Sequence, residues 1–200
     1  MTISEKPHVV IPADHVPGPK QGQWTYGHYA ALPNDGQRYE TVDGVLYTVP
    51  PSPMEWHQRS AGRFIYYLLA HVELAGRGRV YHAPFDVELT SKIVLQPDVL
   101  VLLNESCGKI TSSHITGAPD LVVEVLSPGT AQYDWQQKYD AYAQAGVREY
   151  WIGDPINHTL EVLVLENGEY HSTGIFRGEQ VVLSKIVPEF PVQARQFFPE

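Results

Sequence analysis

A carboxylate set into an apolar strand limits both how a chain can fold and what it can do there, and this chain has two such strands. In Asp120-Leu-Val-Val-Glu-Val-Leu-Ser127 the acid is Glu124; upstream, Leu95-Gln-Pro-Asp-Val-Leu-Val-Leu-Leu103 carries Asp98 in the same setting. Acids are seldom buried unless paired or bound to a cation, and an unpaired one costs several kcal/mol. Strand alternation puts Asp120, Val122, Glu124 and Leu126 on one side. Asp120 nevertheless lies roughly 13 Å from Glu124 at strand rise, too far to grip the same ion. Glu124 therefore needs a group from another strand, and Asp98 is the natural partner. The competing reading pairs each acid with its own Arg or Lys, but only 14 basic residues are available and none stands beside either acid in sequence. Oxygen ligands without cysteines or clustered histidines suit Mg²⁺ or Mn²⁺ rather than zinc.

Two hundred residues suit one domain, with or without a tail, and at that size roughly 70% of the unfolded surface can be buried. Apolar content of 43% against 18% charged excludes wholesale disorder. The single cysteine, Cys107, excludes an internal disulfide framework and a cysteine-rich zinc site, and is compatible with a reducing compartment. Met1-Thr-Ile-Ser-Glu-Lys-Pro lacks the pattern of a secretion signal, and no apolar run approaches the about 18 residues of a membrane span. The expectation is a soluble, cytoplasmic protein without a membrane partner. Net charge is −9, which argues mildly against nucleic acid as a partner, since phosphate binding draws on basic surface. Local basic patches can coexist with a negative total, so the question stays open.

Residues 1–21 hold four prolines and no clear periodicity; they read as an N-terminal tail or strap ahead of a single domain over residues 22–200. A short helix is expected from Thr25 to before Pro33. Arg38 to Val49 is a hairpin signature around Asp43-Gly44. From Glu55 to about Ala75 the spacing of Ala61, Phe64, Ile65, Leu68 and Leu69 predicts a helix. Val80 to Leu89 alternates as one strand, with His82, Asp86 and Glu88 on its polar face. Two apolar strands follow, then a helix over about Gln132 to Ala145 closed by Gly146 in a left-handed cap. A strand at Arg148–Gly153, a hairpin around Asn167-Gly168, and an apolar end with Phe190, Phe197 and Phe198 complete the chain. The class is α/β: a mixed β-sheet flanked by two principal helices, with additional β-hairpins.

Pro97-Asp98 followed by Glu124-Val-Leu126 resembles the PD-(D/E)XK nuclease superfamily. That pattern ordinarily places a lysine two residues after the second acid; here Leu126 stands there, and Lys138, one turn after Asp134 on the following helix, matches a known migration of the lysine. The wider pattern is similar to the Uma2 (DUF820) family of restriction-type endonucleases. Its matching pieces are Arg38-Tyr-Glu40, Asp43-Gly44, His57-Gln58, Pro97-Asp98, Glu124-Val-Leu-Ser-Pro128, Asp134, Lys138-Tyr139, Gly146-Val-Arg-Glu-Tyr-Trp151 and Asp154-Pro155. Each piece is weak alone; their order and spacing, over about residues 24–198, are the specific signal.

The resemblance implies a restriction endonuclease-like fold and Mg²⁺- or Mn²⁺-dependent hydrolysis of phosphodiester bonds, with DNA as the expected partner and a homodimer for double-strand cutting. It assigns Asp98 and Glu124 to the metal, with Glu40 as a third acid from the N-terminal region. Lys138 would orient the attacking water or stabilise developing charge. Its bland alternative is a helix ion pair with Asp134, although Trp135 and Tyr142 share its face at helical spacing. His57 and Gln58 would touch phosphate or the outer shell of the metal, or form a surface pair. Asp120 and Asp134 would be supporting groups, Asp120 as a strand-start cap. A nucleophilic mechanism has little behind it: Ser127 is not in a Gly-x-Ser-x-Gly elbow, Cys107 has His114 only in a polar loop, and Gly76-Arg-Gly-Arg79 lacks the Lys-Ser/Thr of a phosphate loop. A nuclease fold with a degraded site, acting as a nucleic-acid-binding or regulatory module, and hydrolysis of a small phosphate ester remain as alternatives.

Overall fold

A computed structural model describes residues 9–50, 54–106 and 108–198; Cys107 lies outside them. The chain runs β1 (Ile11–Pro12), α1 (Tyr26–Ala30), β2 (Arg38–Val42), β3 (Val45–Val49), α2 (Glu55–Leu68), β4 (Gly78–His82), β5 (Asp86–Thr90), β6 (Ile93–Leu95) and β7 (Val99–Leu103). Then come β8 (Lys109–Ile110), β9 (His114–Thr116), β10 (Leu121–Val125), a helical run α3 over 131–145, β11 (Glu149–Asp154), β12 (Thr159–Glu166) and β13 (Glu169–Arg177). The strands form two mixed sheets, in the orders β1-β3-β2-β6-β5-β9-β8 and β13-β12-β11-β10-β7-β4. Among the described residues no helix is long and apolar enough to cross a membrane.

Local chemistry sets most of these elements. Asp43 and Gly44 both take positive φ, 50° and 74°, as the tight β2–β3 turn requires, and Asn167-Gly168 does the same between β12 and β13 at 53° and 87°. Helix α2 buries Phe64 and Leu68 and continues as a π turn over Leu69–Glu73 that buries Val72. Each such side chain contributes about 1.5–3 kcal/mol. These three pack with Val99, Val101, Val123 and the terminal Phe190, Phe197 and Phe198 on one face of the second sheet. The other face, with Leu100, Val122, Tyr150 and Ile152, packs against Tyr142 of α3.

Two expected strands break where proline falls. The run from Val80 to Leu89 divides at Ala83-Pro84 into β4 and β5, which belong to different sheets. Likewise Leu95–Leu103 divides at Pro97-Asp98 into β6 and β7. Proline has no N–H for a ladder, so each run leaves one sheet and enters the other. Asp98 is therefore at a bend between sheets, immediately ahead of β7, and not in the middle of a strand.

Candidate active site

Antiparallel pairing sets Val99 opposite Val123, so Asp98 and Glu124 are the next residues on adjoining strands. They are tied through the backbone: the Val125 N–H donates to Asp98 Oδ2 at 2.8 Å. Their side chains then find partners in opposite layers. His57 Nε2 of α2 approaches Asp98 Oδ2 at 3.3 Å. Glu124 turns to α3, where Lys138 Nζ and the Tyr142 hydroxyl both donate to its Oε1 at 2.7 Å.

Helix α3 supplies Lys138 through an irregularity. Between its α-helical ends, Ala131–Tyr133 and Tyr139–Ala145, residues Asp134–Lys138 form a π turn, a feature frequent at functional sites. The wider turn brings both Asp134 and Lys138 inward, where each is buried. It also breaks the spacing that placed Trp135 beside Lys138; Trp135 faces outward, 39% exposed. Lys138 Nζ lies 3.4 Å from Asp134 Oδ1 and 3.6 Å from Glu40 Oε1, and 5.7 Å from the centre of the Tyr133 ring.

Glu40, on β2 of the other sheet, is fully buried. Its Oε1 accepts from Arg38 Nη2 at 2.8 Å and from the Gln96 N–H at 3.1 Å, and Arg38 Nη2 also donates to the Gln96 carbonyl. Glu40 Oε2 is buried without a hydrogen bond. The molecule thus assembles Glu40, Asp98, Glu124 and Asp134 around two basic side chains, Lys138 and Arg38.

That charge imbalance governs proton affinity. Burial, reinforced by the charges of Asp134, Asp98 and Glu40 against the pull of Lys138, pushes Glu124 up to about 8. Burial likewise pushes Asp134 up to about 6. For Asp98 burial acts upward, but the hydrogen bond and charge of His57 outweigh it and hold the carboxyl below its usual value. Burial acts downward on Lys138, yet Glu124, Glu40 and Asp134 overcome it and raise its pKa. The lysine is a fixed positive charge, not a base.

Asp98 is the acid of the cluster that lines a cleft. A cleft of about 610 Å³ is lined by Arg38, His57, Gln58, His82, Gln96 and Asp98 among others, whereas Glu124, Lys138, Glu40 and Asp134 lie behind its wall. His57 is buried and its Nδ1 has no hydrogen-bond partner; Gln58 is exposed at the rim. Asp120, considered as a supporting group of this site, is not one. Its Oδ2 accepts from the Leu103 N–H at 2.8 Å and its Oδ1 from Arg148 at 2.9 Å, pinning the far end of β10. Arg38, Gln96 and Tyr142 belong to the site without having been given a role from sequence. Tyr142 carried a signal in its position four residues after Lys138 and Arg38 in the Arg38-Tyr-Glu40 piece of the family pattern, whereas Gln96 carried none.

The donor chemistry suits a hard divalent cation: carboxylates in excess over basic groups, two buried carboxylate oxygens without a hydrogen bond (Glu40 Oε2 and Asp134 Oδ1), and Asp98 at the open cleft. The side chains are nevertheless drawn together by Lys138. Among the described residues no three His, Cys, Asp or Glu groups form a metal-holding cluster.

The fold is shared with a solved structure, a putative nuclease belonging to DUF820 from Anabaena variabilis. The TM-score is 0.71 at 18% identity, covering 87% of this chain and 97% of that one. No curated protein matches the sequence. Residues 26–195 match the family Uma2, described as "Putative restriction endonuclease", and across that span, from the α1 helix to the C-terminal turn, the chain belongs to the Uma2 family.

Proposed function

We propose that this protein is a metal-dependent endonuclease, acting in the cytoplasm on phosphodiester bonds of nucleic acid, DNA foremost. Mg²⁺ or Mn²⁺ would be held by Asp98 and Glu124, with Glu40 as a further ligand. The observation that carries the reading is the excess of buried carboxylates over basic groups at the junction of two sheets, with one acid opening onto a cleft. A buried surplus of negative charge is costly unless protons or a cation neutralise it. When bound, the ion supplies charge neutralisation at the phosphate. The remaining work falls to side chains of the chain itself. Asp98, held by His57 and the Val125 N–H, presents a fixed carboxylate at the cleft. Lys138 holds Glu124 in place and keeps its positive charge against the acids. Tyr142 fixes the rotamer of Glu124 from the other side. Gln58 offers a polar contact to a phosphate chain in the cleft.

The test is cleavage of plasmid and of labelled oligonucleotides with Mg²⁺ or Mn²⁺, in the wild type and in Asp98→Asn and Glu124→Gln. The reading predicts metal-dependent cutting that both variants lose. A homodimer fits double-strand cutting, and light scattering would reveal it.

One observation favours a second reading: Lys138 already occupies Glu124 Oε1 at 2.7 Å. A site closed in this way would serve a nucleic-acid-binding or regulatory module. Wild type and variants that are equally inert with either metal, yet still bind DNA, would establish it.

A further inference from the structure

Beside the cleft of Asp98 lies a second cavity of about 470 Å³, and the two share a wall made by Gly36, Gln37, Arg38, Pro84 and Gln96. Its chemistry differs from that of its neighbour. Among its lining residues Arg38 is the one cation, and that guanidinium is already engaged by Glu40 and the Gln96 carbonyl. A phosphate would gain little there and would meet the carboxylate of Asp86. What the cavity does offer is a half-buried ring, Tyr29, together with the amides of Asn34 and Gln37 and the Asp86 carboxylate.

Asp86 is oriented for recognition. Its Oδ1 accepts from the Tyr29 hydroxyl at 2.8 Å and from Gln96 Nε2 at 2.7 Å, while Gln96 Nε2 also reaches Tyr29 Oη at 3.1 Å. Burial and the charge of Asp86 raise the pKa of Tyr29, so its hydroxyl stays a donor. Both donors converge on one oxygen. Oδ2 accepts no hydrogen bond from the described residues, which leaves one fixed acceptor on the cavity wall. A carboxylate oxygen selects a base by an exocyclic amino group, as acidic side chains do with cytosine N4. A base seated in the cavity has left its stack, so the nucleotide is single-stranded or extruded.

We propose that this cavity takes an unpaired nucleobase carrying an exocyclic amino group, read by Asp86 Oδ2, next to the phosphodiester held in the Asp98 cleft. The proposal rests on the nuclease reading for that second half. Gln96 links the two spaces: its carbonyl binds Arg38, its N–H binds Glu40 and its side chain holds Asp86. Occupation by a base is thereby coupled to the acid cluster through one residue.

The probes are deoxycytidine and thymidine monophosphates, titrated by calorimetry or ligand-observed NMR against the wild-type chain without metal. One charge-assisted hydrogen bond predicts about 10- to 100-fold tighter binding of the cytidine nucleotide. In Asp86→Asn the preference falls within about 2-fold, because an amide offers a donor as readily as an acceptor. Tyr29→Phe removes one donor to Oδ1, leaves Oδ2 intact and retains the preference. Equal binding of the two nucleotides by the wild type overturns the proposal whether or not the variants fold. So does a preference that survives Asp86→Asn. Metal-dependent cleavage whose context is unchanged by Asp86→Asn sinks the base pocket and leaves the nuclease standing. A nucleotide preference without cleavage under any metal keeps the pocket and removes the nuclease.

Discussion

Glu124 and Glu149 stand on neighbouring parallel strands, β10 and β11, and are 2% and 0% exposed, yet their surroundings are opposite. Glu149 is answered by neutral N–H donors. Trp151 Nε1 donates to its Oε1 at 2.6 Å, and the N–H groups of Lys185 and Ile186 donate to its Oε2 at 2.8 and 3.1 Å. It fastens the C-terminal segment to the sheet. Glu124 is answered by one ammonium and one phenol while Asp134, Asp98 and Glu40 press on it electrostatically. Burial of an acid thus says little about chemistry. The sign and balance of the charge around it say much more.

The largest effect that would sharpen this contrast is catalytic. Glu124→Gln should lower metal-dependent cleavage about 10³-fold, equivalent to roughly 4 kcal/mol of barrier, whereas Glu149→Gln should leave kcat per folded molecule within about 3-fold. A comparable loss in both variants, measured on folded protein, would erase the distinction. Next comes Lys138→Met, which strips the acid cluster of its central cation. Breaking a buried pair costs about 3–5 kcal/mol; protons on Glu124 and Asp134 absorb part of the loss, so about 3 kcal/mol is expected in urea denaturation at pH 8. Added Mg²⁺ should recover part of it if the cluster can take the ion.

Stability should then reverse the ranking of the two glutamates. Glu149→Gln sets an amide N–H against N–H donors and should cost about 2 kcal/mol. Glu124→Gln should be close to neutral near pH 5, where burial already holds the acid uncharged, and stabilising toward pH 8. The last contrast is read as a slope against pH. The folded-state pKa of Glu124 is raised to about 8 from an ordinary 4.5. Its contribution is therefore full below about 4.5 and is lost as pH rises toward 8. Metal-free stability should fall over that window by at most about 1.4 kcal/mol per pH unit from this group, and Glu124→Gln should flatten the slope. Asp98, held below its ordinary value, acts the other way and loses its contribution only in acid. A stability curve identical in wild type and Glu124→Gln between pH 5 and 8 would contradict the charge imbalance.

Much of the scaffold was legible because it is written in local chemistry. Asp43-Gly44 and Asn167-Gly168 mark their turns by the positive φ they tolerate, Gly146 closes α3 at φ 87°, and the α2 stripe buries Phe64 and Leu68. Two strands were misread because alternation continues across Pro84 and Pro97, and periodicity does not reveal that the chain changes sheets there. Within the site, Asp98, Glu124, Lys138, Glu40, His57 and Asp134 come together in space, which sequence order and the family pattern had indicated. Asp120 does not join them, and nothing in its strand pattern distinguishes an acid that caps a neighbouring strand from one that serves a site. Gln96 was silent for a related reason, since its role arises from contacts that link the two clefts.

By itself the sequence indicated one acid in each of two apolar runs, a lysine on the next helix, and a pattern that resembles the Uma2 family. These follow from alternation, turn chemistry and order along the chain. Only the tertiary structure decided which layer each acid faces, that a π turn brings Lys138 into the cluster, and that Asp98 alone of the four acids lines the open cleft. Those facts depend on how two sheets and a helix pack together, and short-range spacing holds no record of that packing.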